Sequence, residues 1–137
     1  MAALYEAVMC EQKLVKIMSE TVPAGPVGCL EYYVGSRIGN YSRYRMSYPQ
    51  GPGLPDIRAQ MTAHRAVYIL TYRRADMIGE PCTGHVSHLC HNSRCVNVTH
   101  LTLEPSAANT QRQFCVSLQQ CRGSCVPACI FPSPPPP

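Results

Sequence analysis

The sequence predicts an α+β fold: an antiparallel sheet flanked by helices and held together by two structural zinc sites. Three observations predict it. Apolar residues recur at helical spacing near the N-terminus and again after residue 56, a Tyr- and Val-rich segment broken by glycines lies between them, and nine cysteines fall mainly in two clusters toward the C-terminus. The chain has 137 residues, with thirteen prolines, two Phe and no Trp, so its hydrophobic core is modest and something besides apolar burial must support it.

Residues 3–18 have the spacing of an amphipathic helix, with Leu4, Val8, Leu14, Val15 and Met18 near one side. "TVPAGPVGC" stops it. "CLEYYVGSRIGNYSRYRMSY", 29–48, suggests two or three strands joined by turns, with Arg37, Arg43 and Arg45 standing among the tyrosines. "PQGPGLP" is a loop by composition, after which Asp56 is placed to cap a helix running to about Arg74, because Ile57, Met61, His64, Val67, Tyr68 and Leu70 recur at three- and four-residue intervals. His64 lies on or beside that stripe and is expected as a packed, hydrogen-bonded core histidine.

Farther on, Val86, His88 and Cys90 alternate as on one face of a strand, and "HLTLE" at 100–104 suggests a second strand. Pro105 suits a first helical turn, which "SAANTQRQF" continues. The result is a ββα unit in which a strand histidine and Asn109 face each other across a cleft. Residues 1–130 form one domain in this reading, and the proline-rich 131–137 is an extended tail.

Nine cysteines suit either disulfides or zinc. "MAALYEAVMCEQKLVKIMSE" lacks a basic segment followed by an unbroken apolar run, and an odd count leaves one thiol over, so zinc in an intracellular protein is the expectation. Asn40-Tyr-Ser and Asn97-Val-Thr match a glycosylation pattern common enough to arise by chance. Cys90, Cys95 and His100 supply three ligands at spacings that a tight loop brings around one ion, with Cys29 or Cys82 as the fourth. Cys115, Cys121, Cys125 and Cys129 are enough for a second closed site. Closed sites of four protein ligands stabilise a fold and leave no coordination position for reacting water.

The net charge of +4 rests on ten arginines and only two lysines, a bias that suits planar, bidentate partners such as phosphate. No stretch approaches the roughly 18 apolar residues of a membrane span.

The run "SHLCHNSRCVNVTHLTLEPSAANTQRQFC" resembles the His-Cys box of intron-encoded homing endonucleases, members of the ββα-metal (His-Me finger, HNH-like) nuclease superfamily. The upstream "AHRAVYIL" resembles a helix phrase of related HNH-type nucleases. The resemblance implies a magnesium-dependent endonuclease acting on double-stranded DNA, with His88 as general base, Asn109 as magnesium ligand and a sheet arginine on the scissile phosphate, Arg43 ahead of Arg45 and Arg37. It implies a first zinc site of Cys29, Cys90, Cys95 and His100, leaving Cys82 spare, and a second of Cys115, Cys121, Cys125 and Cys129. There the chain departs from the family's pattern, which includes a histidine. It also implies a homodimer on near-palindromic sites and a nuclear location. Neutral His88, its tautomer fixed by a backbone carbonyl, would take a proton from the attacking water. The rival reading is a non-catalytic, zinc-stabilised DNA-binding module derived from such a nuclease.

Overall fold

The computed structural model of the protein describes residues 2–79, 84–117 and 125–130. Helix α1 (Ala2–Ser19) packs against α2 (Ala63–Tyr72). Two apolar stripes run along α1, and the contact with α2 selects between them. Cys10 and Ile17 are buried, with Leu14 and Met18 beside them, whereas Leu4 and Val15 remain more than 60 % exposed, at 66 % and 64 %. The stripe expected from Leu4, Val8 and Val15 is therefore the solvent face; only its Leu14 and Met18 turn inward.

Strand β1 (Thr21–Ala24) pairs antiparallel with β2 (Cys29–Tyr32), from Thr21 opposite Tyr32 to Ala24 opposite Cys29. Gly25 and Gly28, at φ +73° and +86°, make the turn between them. A second sheet has the order β3 (Arg37–Ile38), β4 (Tyr41–Tyr48), β5 (Ile57–Thr62). Along β4, Ser42, Met46 and Tyr48 are buried while Arg43 and Arg45 belong to the opposite face.

The helix expected from Asp56 to Arg74 is two elements. Residues 57–62 pair in register with β4, Tyr48 opposite Ile57 and Arg43 opposite Thr62, and only then does α2 begin. The spacing of Ile57 and Met61 suits one helical turn, but Ile57, Ala59 and Met61 also alternate with period two, and β4 offers them a partner. Thr62 is the residue preceding α2, while Asp56 accepts a 2.6 Å hydrogen bond from the Ser47 hydroxyl.

Helix α2 buries Ala66, Val67, Ile69 and Leu70 against Met46, Tyr48, Met77, Val86 and Val96, which together form the main core. Leu70→Ala removes a side chain that is 1 % exposed and is expected to cost about 2–5 kcal/mol through lost burial and the cavity left behind. The shift of the denaturant midpoint measures it.

Beyond α2, β6 (His85–His88) pairs antiparallel with β7 (Leu101–Glu104), His85 opposite Glu104 and His88 opposite Leu101, and α3 (Ser106–Ser117) follows. The Pro105 carbonyl accepts from the Ala108 and Asn109 amides, which starts the helix where the proline predicts it. Cys82, Cys121 and the tail 131–137 lie outside the described residues.

Candidate metal centre and active-site cavity

The segment between β6 and β7 is stitched to β2 by main-chain hydrogen bonds. The Tyr32 amide donates to the Arg94 carbonyl at 3.0 Å, and the Val96 amide donates to the Leu30 carbonyl at 2.8 Å. This clamp brings Cys29, at the start of β2, to Cys95. Among the described residues one group of three or more His, Cys or acidic side chains converges, Cys29, Cys90, Cys95 and His100, with all four ligand atoms within 4.8 Å of one another. Three of the four are buried, and Cys90 is half-buried.

The spacing fits tetrahedral zinc. Bonds of about 2.3 Å to sulfur and about 2.0–2.1 Å to nitrogen place a sulfur and a nitrogen roughly 3.6 Å apart across a tetrahedral edge. His100 Nδ1 lies 3.5 Å from Cys95 Sγ and 3.7 Å from Cys29 Sγ. The hydrogen bond between Cys90 and Cys95 pulls the Cys95 thiol down to about 5 and pushes that of Cys90 up, with burial adding to the latter. Burial raises Cys29 as well. One thiolate is thus already favoured at the centre of the group.

Beside this centre lies a cavity of about 290 Å³, lined among others by Tyr41, His88, His91, Asn109 and Arg112. His88, the last residue of β6, directs Nε2 to the Cys95 carbonyl at 3.0 Å. A carbonyl only accepts, so Nε2 carries the proton and Nδ1 is left with its lone pair. Burial pushes His88 down to about 4, against the carbonyl bond that favours its charged form, so the ring is neutral at physiological pH.

Two rings hold His88 in place. Tyr41 stacks on it at 5.9 Å and 11°, and His64 approaches it at 4.1 Å between ring centroids. His64 is buried and donates from Nε2 to the Val86 carbonyl at 3.0 Å, as a core histidine should. Its burial, then the neighbouring His88, hold it well below the usual imidazole range. The contact with His88 is one that spacing along the chain does not announce.

Asn109, on the first turns of α3, lines the same cavity as His88. Its Oδ1 accepts from the Ser87 hydroxyl at 2.8 Å, and its Nδ2 lies 3.3 Å from His85 Nδ1. Behind Ser87, Arg112 Nε and Nη2 grip the two Glu104 oxygens at 2.7 and 3.0 Å, and all three residues are at most 9 % exposed. None of Ser87, Glu104 and Arg112 figures in the sequence-based site.

Arg43 is placed elsewhere. It lines a groove with Tyr32, Gly35, Ser36 and Arg45, and its Nε is buried without a hydrogen-bond partner among the described residues. It is not among the residues lining the His88 cavity. Arg37 forms part of the short β3. His91 sits in the turn after β6 at φ +57° and contributes to the cavity wall. In the second cysteine cluster, Cys115, Cys125 and Cys129 are half-buried, with Gln111 donating to Cys115 Sγ at 3.3 Å and Arg112 to Cys129 Sγ at 3.2 Å.

The fold and site define an α+β domain with small antiparallel sheets and, among the described residues, one Cys₃His group whose spacing fits zinc. A family model described as the zinc-binding loop region of homing endonuclease matches residues 34–133, well over half of the chain, and the chain belongs to that family. Cys29 precedes the matched span, so the geometry of the cluster, rather than the family match, selects it as the fourth ligand. No curated protein and no solved structure matches the chain. Among the described residues no helix is long and apolar enough to cross a membrane.

Proposed function

We propose that the protein is a magnesium-dependent endonuclease that hydrolyses phosphodiester bonds of double-stranded DNA, with His88 as the general base. The observation that carries this reading is the contact of His88 Nε2 with the Cys95 carbonyl: a neutral ring held this way has its proton on Nε2, which leaves the other imidazole nitrogen as acceptor on a residue that lines the same cavity as Asn109. In this role Nδ1 takes the proton of the attacking water, while the stacked Tyr41 and His64 rings keep the imidazole from turning away.

The cavity wall suits a hard cation bound jointly with DNA. Asn109 Oδ1 is a neutral oxygen donor, and no carboxylate is among the described residues lining the cavity, so in this reading substrate phosphates supply the negative charge. When bound, magnesium there supplies charge neutralisation at the leaving 3′-oxygen. Asn109 would hold the ion, and Arg112, paired with Glu104 behind the wall, leaves the cavity without a net charge from that pair.

For the DNA surface, the β4–β5 register places Arg43, Arg45 and Ser47 on one face with Thr62, Gln60 and Arg58. Arg45, Arg58 and Gln60 are exposed there. A two-stranded ribbon fits a major groove about 12 Å wide, where Arg and Gln side chains reach base edges, and Arg43, which lines a separate groove rather than the His88 cavity, is left to a backbone phosphate of the bound duplex. The same reading includes a second zinc site of Cys115, Cys121, Cys125 and Cys129, a homodimer and a nuclear location.

Purified protein is expected to nick and then linearise supercoiled plasmid when magnesium is added, and to leave it intact without magnesium. Protein that shifts plasmid in a gel yet never cuts it overturns the enzyme reading in favour of a non-catalytic DNA-binding module.

A further inference from the structure

We propose that Ser87, backed by the Arg112–Glu104 ion pair, is a positioning residue that sets Asn109 for metal binding. This inference rests on the assignment of Asn109 as the magnesium ligand. Ser87 is 1 % exposed and has one hydroxyl proton, yet two acceptors are within its reach, Asn109 Oδ1 at 2.8 Å and the Glu104 carboxylate.

A bare carboxylate is the stronger acceptor and would take that proton. Here each Glu104 oxygen already accepts from Arg112, at 2.7 and 3.0 Å, and the guanidinium neutralises the carboxylate. The ion pair thereby weakens Glu104 as a competitor and favours donation of the Ser87 proton to Asn109 Oδ1, 2.8 Å away. On the other side of the amide, Nδ2 faces His85 Nδ1 at 3.3 Å, a contact in which the amide donates. An Asn amide has two orientations of nearly the same shape, and only one offers oxygen to a cation. Donation by Ser87 to Oδ1 selects that one, and the His85 tautomer with an unprotonated Nδ1, accepting from Nδ2, selects the same.

The arrangement leaves Oδ1 a second lone pair for the ion. It also explains why a buried Arg112–Glu104 pair stands next to the cavity: burial of two charges is weak evidence for stability, whereas a fixed orientation is something such a pair delivers. Partners one shell behind a metal ligand typically change metal affinity about 10- to 100-fold when removed.

The test compares wild type with Ser87→Ala and with Ser87→Cys, which keeps the size of the side chain but donates weakly. Zinc content and melting temperature verify that each variant is folded. Plasmid nicking is measured against magnesium concentration. In parallel, Mn²⁺ binding to the complex of each protein with a duplex carrying a wild-type cut site is followed by electron paramagnetic resonance. Both variants are expected to need about tenfold more magnesium for half-maximal nicking and to bind Mn²⁺ about tenfold more weakly, with the rate at saturating magnesium within about threefold of wild type. A folded variant with unchanged magnesium dependence and unchanged Mn²⁺ affinity overturns the positioning role. A wild type that cuts no DNA overturns the parent reading instead, and the inference with it.

Discussion

Cys95→Ser is expected to release zinc and to collapse the segment between β6 and β7. Cys95 is fully buried, its sulfur is 3.5 Å from His100 Nδ1, and serine supplies neither the length nor the thiolate that zinc needs. The apparent free energy of a structural zinc site is about 10–16 kcal/mol, as large as the whole stability of an ordinary domain, about 5–15 kcal/mol. The loss reaches beyond the loop, because the Cys95 carbonyl anchors His88 and the residues on either side of it pair with β2. Metal analysis should show one zinc fewer per chain, and circular dichroism a lower or absent thermal transition. A Cys95→Ser protein that retains wild-type zinc content and melts normally removes the cluster from its assigned role. Cys82→Ser is the matched control, and its zinc content is expected to stay at the wild-type level because Cys29 completes the group.

What the sequence made legible was governed by local chemistry. The span from β6 to α3 was largely readable because alternation, a proline at a helix start and loop ligands at short spacing each have a local cause; the expected strand face of Val86, His88 and Cys90 stops at His88, with Cys90 in the turn beyond it, and His100 precedes β7 rather than opening it. The β5 error has the opposite origin. Six residues whose apolar positions suit both a helical turn and an alternating strand are decided by the partner, and β4 is the partner. Strand β1 was invisible for a related reason. Pro23 argues against a strand, yet β1 pairs on one side only, with β2, and an edge tolerates a residue that cannot donate.

The site divides along the same line. Cys90, Cys95 and His100 lie within one loop, so their spacing was informative, whereas Cys29 reaches them only through main-chain bonds between β2 and residues 94–96. The packing of Tyr41 and His64 on His88 joins three separate elements, and no periodicity encodes it. Ser87 and Glu104 are each an ordinary strand residue by type. Their significance comes from the β6–β7 register, which puts Ser87 opposite Thr102 and brings Glu104, opposite His85, close to the strand that carries the proposed base.

His88 and His100, at the two ends of the loop, should separate under two measurements, zinc content and DNA cutting. His88→Ala is expected to keep its zinc, because Nε2 bonds a carbonyl and neither ring nitrogen belongs to the Cys₃His group. Its cutting rate should fall about 10²- to 10⁴-fold, the usual contribution of a positioned general base. His88→Gln is the stricter variant. Its amide nitrogen can still donate to the Cys95 carbonyl and its length fills much of the space against Tyr41 and His64, but no atom of it accepts a proton at neutral pH. It should therefore bind DNA as wild type does and cut as poorly as His88→Ala. His100→Ala is expected to fail in the opposite order, losing zinc and stability first and cutting only as a consequence, since its Nδ1 faces Cys29 and Cys95. If His88→Gln cuts at the wild-type rate while His88→Ala does not, the ring serves packing rather than proton transfer, and the base must be sought elsewhere along the cavity. If both lose zinc together with activity, His88 belongs to the scaffold. Retained zinc, retained DNA binding and lost cutting in both variants is the combination that only the proton-accepting role produces.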